Sequence, residues 1–314
     1  MRYAFLGGTG LKVSELCLGT TAFGGDISAE DAWHIWARCI DAGVNFFDTA
    51  DASPDSERLL GEMARERRHS LVLSTKVFRP TGTGPNEGGL SRKHIVHACE
   101  ASLRRLNTDY IDLYLAHSDD FLTPIEETLG AFDQLVRQGK VLYIGGSNYT
   151  AWRLNEALWI ALTRNYPRYC CMQLLYNLQE RDIEVELLPM CKKKSVGVIA
   201  WSPLARGVLA DGVVRRPNEV RTVVQPQVRA ALAQVAAQLS GPMSHVALRW
   251  VLSRPGVQAV AVGASSAGQI EENLGMRDLD LAPEHMEILD AVMTVRRPYP
   301  ALLESLVRST RSQV

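Results

Sequence analysis

Short, nearly continuous apolar runs recur along this chain, and each is followed by a stretch with helical spacing of its apolar residues. LCLG (16–19) precedes 28–42, where Trp33, Trp36, Ala37 and Ile40 fall at helical intervals. VNFFD (44–48) precedes 56–65, SLVLSTK (70–76) precedes 91–106, and YIDLYLAH (110–117) precedes 124–138. VLYIGGSN (141–148) precedes 150–162, CMQLLYN (171–177) precedes 182–194, VGVIAWSP (196–203) precedes a helix-rich stretch, and AVAVGAS (259–265) precedes 267–275. Strands of a parallel sheet are buried on both faces and read as unbroken apolar segments. Eight such units in one chain predict a closed (β/α)8 TIM barrel rather than an open doubly wound sheet.

Three features decorate this plan. Residues 1–14 read as an N-terminal hairpin whose strands lie within 3–13, turning at Gly7–Gly10. The 209–227 segment has Gly, Pro and several Arg but no clear period, and reads as a mobile loop over one barrel end. The 295–314 tail carries RRPYP and a short apolar patch, and is expected to add C-terminal helical structure capping that same end. No low-complexity tract or linker marks a second domain, so residues 1–314 are expected to form a single barrel domain.

Composition narrows the function classes. Hydrophobic residues make up 46% and charged residues 22%, which excludes a disordered chain. The 34 basic and 35 acidic residues are interspersed, giving a net charge of −1 and no basic stripe for a nucleic acid. Cys17, Cys39, Cys99, Cys170, Cys171 and Cys191 include no CxxC pair and no zinc-like spacing, so no metal is expected. Most sit in apolar runs, as free thiols of a reducing cytoplasm do. The N-terminus has no long apolar signal region, and no stretch approaches the ~20 apolar residues of a membrane span. A cytoplasmic protein acting on a small molecule is the expectation, with no membrane partner and the oligomeric state open.

In a (β/α)8 barrel the active site lies at the C-terminal ends of the strands. The polar residues ending the apolar runs here are Asp48, Lys76, His117, Asn148, Gln173 and Ser202. Taken singly, Asp48 reads as a helix cap, Lys76 as a solvated strand end and His117 as a satisfied core histidine. Three titratable groups at equivalent strand ends converge around one axis, and that convergence favours chemistry.

Beyond these positions, ordered motifs carry a family resemblance. NFFDTA (45–50), SERLLGE (56–62), STK (74–76), GPNEGGLSRKHI (84–95), SLRRLNTDYIDLYLAH (102–117), GGSNY (145–149), AWSPLARGVL (200–209) and VGASSAGQIEENL (262–274) follow one another in series. Together they resemble the aldo-keto reductases, from about Gly19 to Leu274. The resemblance implies a (β/α)8 barrel that moves hydride between NADPH and a carbonyl or alcohol, with an Asp, a Tyr, a Lys and a His as catalytic residues. It assigns Asp48, Lys76 and His117 to three of those roles. It also implies cofactor contacts at Gly19, Thr20, Ser147, Asn148 and Gln173, with Trp201 as the aromatic stacked on the nicotinamide. Ser202, Pro203, Leu204 and Gly207 would run along the pyrophosphate, and Gly263, Ser265, Gln269, Glu272 and Asn273 would hold the adenosine end. Ser265 and Gln269, with Arg221 from the 209–227 segment, favour NADP(H) over NAD(H), although GASSAGQ itself holds no Lys or Arg.

The chain departs from the family pattern at the fourth catalytic position. The tyrosine stands five residues beyond the aspartate, and here that residue is Ser53, followed by Pro54. A phenol, with pKa ~10, can be tuned by a neighbouring ammonium to donate a proton, whereas a serine hydroxyl is a far weaker acid. Three readings stay open. The first is hydride transfer to a carbonyl or enone with an atypical proton donor: His117, a water held by Ser53, or Asp51 or Asp55. The second is an elimination or isomerisation without net redox. The third is a non-catalytic, regulatory NADP(H)-binding protein. The loops expected to choose the substrate carry Phe78, Arg79, further arginines and Tyr299, which suits a mixed apolar and polar compound with some anionic character.

Overall fold

A computed structural model describes residues 1–211, 224–304 and 307. Near the N-terminus β1 (Tyr3–Phe5) pairs antiparallel with β2 (Lys12–Ser14), forming the expected hairpin. Eight further strands follow: β3 (Leu16–Gly19), β4 (Phe46–Asp48), β5 (Val72–Val77), β6 (Ile111–Ala116), β7 (Val141–Ser147), β8 (Tyr169–Leu175), β9 (Gly197–Trp201) and β10 (Val257–Val262). They pair in parallel, each with the next, and β10 closes back onto β3. The (β/α)8 barrel expected from the alternation is the architecture found.

Around it lie α1 (Ala29–Asp41), α2 (Pro54–Ala64), α3 (Arg92–Leu106), α4 (Ile125–Arg137), α5 (Ala151–Arg164), α6 (Leu187–Lys194), α7 (Pro226–Gln238), α8 (Met243–Leu252), α9 (Ala267–Leu274) and α10 (Pro283–Ala291). Their ends follow local chemistry. Ser28 and Ser91 cap α1 and α3 by accepting from the backbone N–H three residues on. Asn107 and Asn165 end α3 and α5 in the left-handed conformation that asparagine tolerates. At Gly61 an added Cβ would lie 2.4 Å from the Leu106 carbonyl, so glycine lets α2 press against the end of α3.

Two readings shift in detail. On α1 the buried stripe is Ala32, Ile35, Trp36 and Cys39, while Trp33 is 43% exposed. The stretch read as one helix over 182–194 begins as a 3₁₀ turn at Asp182–Glu184 and becomes α-helical only at Leu187. Of the 209–227 segment, residues 212–223 lie outside the described residues, as do 305–306 and 308–314 of the tail.

The core has two parts. The larger lies between the barrel and the helices; the smaller fills the barrel itself with Leu6, Val13, Cys17, Phe46, Val72, Leu113, Leu115, Cys171, Ile199 and Ala259. Leu6 and Val13 belong to the hairpin segment, which therefore plugs the end where the strands begin. The Gly8 N–H reaches the Ser195 carbonyl at 2.7 Å, holding that plug in place. The opposite end is left for chemistry. All six cysteines are free and buried. Among the described residues no helix is long and apolar enough to cross a membrane.

Candidate active site

Asp48 ends β4, Lys76 lies near the end of β5 and His117 follows β6, so three adjacent strands bring them to one rim. The Lys76 Nζ stands 2.5 Å from the Asp48 Oδ2 and also donates to the Thr49 carbonyl at 2.7 Å. Both side chains are buried, at 3% and 6% exposure, so the pair is shielded from water. From β8, on the far side of the barrel, Gln173 donates its Nε2 to the same Asp48 oxygen at 3.1 Å. An ammonium has three N–H bonds, and these contacts use two, leaving one for a ligand. Burial, reinforced by the positive charges of Lys76 and Arg79, lowers the His117 pKa to about 4. Its imidazole is therefore neutral at pH 7 and acts as a hydrogen-bonding group rather than a cation.

A second line of hydrogen bonds crosses the rim. The Ser147 hydroxyl donates to the Gln173 carbonyl at 2.9 Å and accepts from the Asn148 Nδ2 at 3.0 Å. Asn148, at φ 59°, turns its Oδ1 to accept from the Trp201 indole N–H at 3.0 Å. The indole is thus oriented from the strand-end carbonyls outward, through residues that the apolar runs deliver in register: Ser147 is paired with Gln173, and Leu175 with Trp201.

Together these side chains line a cavity of about 430 Å³, within the range usual for small-molecule and cofactor sites. It runs from Asp48, Lys76 and His117, past Trp201, along Ser202–Leu204, Arg206 and Gly207, to Gly263, Ser265 and Gln269. The loop after β9 is held in strained backbone: Ser202, Ala205, Arg206 and Gly207 all have positive φ, from 46° to 86°. Such strain persists where the surroundings over-determine it and is common at ligand clamps. At the far end the Gln269 Oε1 accepts from both the Ser265 N–H at 2.7 Å and its hydroxyl at 3.0 Å, ahead of the start of α9. Asp48 Oδ1 and His117 Nδ1, on cavity-lining residues, have no hydrogen-bond partner among the described residues. Unused polar capacity at the deep end, an oriented indole and an elongated cleft suit an elongated cofactor that carries a planar ring.

Most of the anticipated positions come together here, and four do not line the cavity. Thr20 is buried behind it, bonding the Asp48 carbonyl at 3.1 Å and Ser56 at 3.0 Å. Glu272 accepts from the Ser244 hydroxyl at 2.6 Å, and Asn273 is buried. Ser53 is half-buried at the start of α2, where its side chain makes no capping hydrogen bond. Of the other donors considered, Asp55 is exposed and paired with Arg58, and Asp51 is buried beside His94 and Glu57. Arg221 lies outside the described residues. Sequence reasoning did not single out Thr21, Ala22, Arg206, Ala261 or Val262, which also line the cleft. Arg206 and Val262 fall inside two of the quoted motifs, and Thr21, Ala22 and Ala261 stand close to anticipated positions, their only signal. Ser56 and Glu57, within the SERLLGE motif, cross-link the scaffold: Ser56 bonds Thr20 and Thr49, and Glu57 joins Thr75 at 2.7 Å to Arg105 at 2.5 Å.

A closed (β/α)8 barrel with an Asp–Lys pair, a neutral histidine and a tryptophan-walled cleft at its open end has the form of a barrel oxidoreductase. The aldo/keto reductase family profile matches residues 15–294, and this chain belongs to that family. It is 36% identical over 313 residues to the uncharacterized oxidoreductase YrpG of Bacillus subtilis (strain 168), covering 93% of this chain and 96% of that protein. It is also 36% identical, over 329 residues, to probable voltage-gated potassium channel beta subunits of Oryza sativa subsp. japonica and Arabidopsis thaliana; each match covers 97% of this chain and 99% of the relative.

Proposed function

We propose that this protein is an NADP(H)-dependent oxidoreductase that acts on a carbonyl or enone small molecule without the usual tyrosine acid. The observation that carries this reading is the buried Asp48–Lys76 pair, tied to Gln173 and facing Trp201 across one cleft. When bound along that cleft, the nicotinamide supplies or takes up a hydride. Trp201 would hold its ring, the Ser202–Gly207 loop its phosphates, and Ser265 and Gln269 its adenosine end.

The chain's own residues then act on the substrate oxygen. Lys76, held by Asp48 and Thr49, directs its remaining N–H at the charge that develops there. Neutral His117 adds a second hydrogen bond and orients the carbonyl. Preorganised donors of this kind stabilise an enolate or alkoxide without a strong acid, which suits an enone better than a simple ketone. Ser53 serves, if at all, through a water reaching in from the start of α2.

One observation favours a second reading. Two relatives that match almost end to end carry the name of potassium channel beta subunits. A regulatory role, in which the barrel senses NADP(H) for a partner, fits the loss of the phenol at Ser53.

NADPH consumption, followed at its absorbance band against a panel of enones, aldehydes and ketones, separates the two. The proposal predicts turnover of at least one enone and its loss in Lys76→Met. NADPH binding without consumption of any panel member supports the regulatory reading instead.

A further inference from the structure

We propose that the substrate carries a carboxylate and that Arg79 binds it, making Arg79 a specificity-determining residue of this site. The inference rests on the cofactor placement proposed above. Arg79 follows β5, and Trp201 ends β9, four strands further round the eight-stranded barrel, so the two face each other across the mouth. A cofactor lying from Trp201 to Gln269 occupies the β9–β10 side and leaves Arg79 beside the reacting space.

The charges on the lining residues point the same way. Asp48 and Lys76 neutralise one another in their pair. Among the described residues two further cations line the cleft, Arg206 and Arg79. Arg206 lies in the loop assigned to the cofactor phosphates and already has a partner within the protein. Arg79 has no carboxylate partner among the described residues, although most arginines on the barrel's flanks do: Arg68 with Asp112, Arg105 with Glu57, and Arg153 with Asp119. Its charge also reaches His117 on the neighbouring strand, which places the guanidinium within electrostatic range of the catalytic rim.

A guanidinium is always protonated and presents a planar fork that matches a carboxylate bidentately. Exposed at the rim rather than buried on the floor, it selects a charge displaced from the reacting carbonyl and leaves the chemistry to Lys76 and His117. Among the described residues, Arg79 is the cleft-lining cation that neither a carboxylate nor the cofactor loop matches. A monoanion therefore fits better than a phosphate ester, which gathers several donors.

The test compares two probes of one shape, 4-carboxybenzaldehyde and 4-formylbenzamide, titrated calorimetrically into the intact protein saturated with NADP⁺. Because NADP⁺ cannot reduce them, binding is read without turnover. The wild type is expected to hold the carboxylate about 10-fold or more tighter than the amide, the effect of one charge-assisted contact. Arg79→Gln is expected to abolish that preference and leave amide affinity unchanged, while Arg79→Lys retains part of it. Equal affinity for both probes in the wild type overturns the inference, as does a preference that survives Arg79→Gln. If NADP⁺ itself fails to bind, the cofactor assignment falls separately. The same comparison on the protein alone then still decides whether Arg79 selects a carboxylate.

Discussion

Gln173 and Asp48, 125 residues apart in the chain, are joined across the barrel by a 3.1 Å hydrogen bond from the amide Nε2 to the carboxylate Oδ2. That oxygen also receives Lys76, so the strand carrying Gln173 is coupled to the ion pair. Through its backbone carbonyl Gln173 also accepts from Ser147, which leads to Asn148 and Trp201. The cofactor wall and the reacting group are thus parts of one network, and perturbing its centre is expected to affect both ends. Gln173→Leu is predicted to raise the NADPH dissociation constant about 5–10-fold, the scale of one or two hydrogen bonds. A fluorescence titration measures it, and a change below twofold contradicts the network's role.

Lys76 and Asp48 are buried together, so removing one strands the other. Lys76→Met is expected to lower unfolding stability by about 3–5 kcal/mol, the usual cost of an uncompensated buried charge. The double variant Asp48→Asn/Lys76→Met is expected to recover most of that loss, because no charge remains buried. Urea denaturation of the wild type, both single variants and the double variant checks it; additive losses would show that the pair is not coupled.

Much of the fold was legible because parallel strands have to be apolar on both faces, and the runs ending in Asp48, Lys76 and His117 carried their own polar punctuation. What stayed illegible depends on contacts between distant segments. That Asn148 would turn its side chain to the indole of Trp201 needs a left-handed backbone at Asn148, which sequence spacing does not specify. Glu57 reads as part of a signature motif, yet its partners Thr75 and Arg105 become neighbours only when α2 packs on α3. Helical spacing alone does not say which of Trp33 and Trp36 is buried, because a stripe shifted by one residue still keeps apolar residues at helical intervals.

Burial, and then the charge of Glu57, raise the Asp51 pKa to about 7. Between its ordinary value near ~3.9 and pH 7 the folded protein holds a proton here that the unfolded chain has released. The stability from this group is therefore greatest in acid and is lost as pH rises through 7. Above pH 7 the folded state contains a buried carboxylate with no well-formed side-chain partner among the described residues, the Ala52 N–H, His94 at 4.0 Å, Arg105 and Lys76 offsetting its burial only in part. Asp51→Asn is predicted to raise the thermal midpoint by several degrees at pH 8, by less at pH 5, and to change it little near pH 4. A gain independent of pH contradicts this.

On the proposed reading, Ser53→Tyr supplies a phenol at the position expected to hold the tyrosine acid. Reduction of simple aldehydes by NADPH is expected to rise roughly tenfold or more, since a positioned general acid is worth ~10²–10⁴-fold at full effect. Steady-state kinetics measure it. An unchanged rate would show that the residue preceding Pro54 cannot reach the substrate oxygen.

The central claim is a nicotinamide-binding cleft walled by Trp201, and titration of the intact protein with NADPH, read by tryptophan fluorescence, tests it most directly. Saturable quenching is predicted in the wild type, with a much smaller signal change in Trp201→Phe, which leaves the other five of the six tryptophans in place. Absence of quenching at millimolar NADPH, or quenching of equal size in Trp201→Phe, would contradict the account.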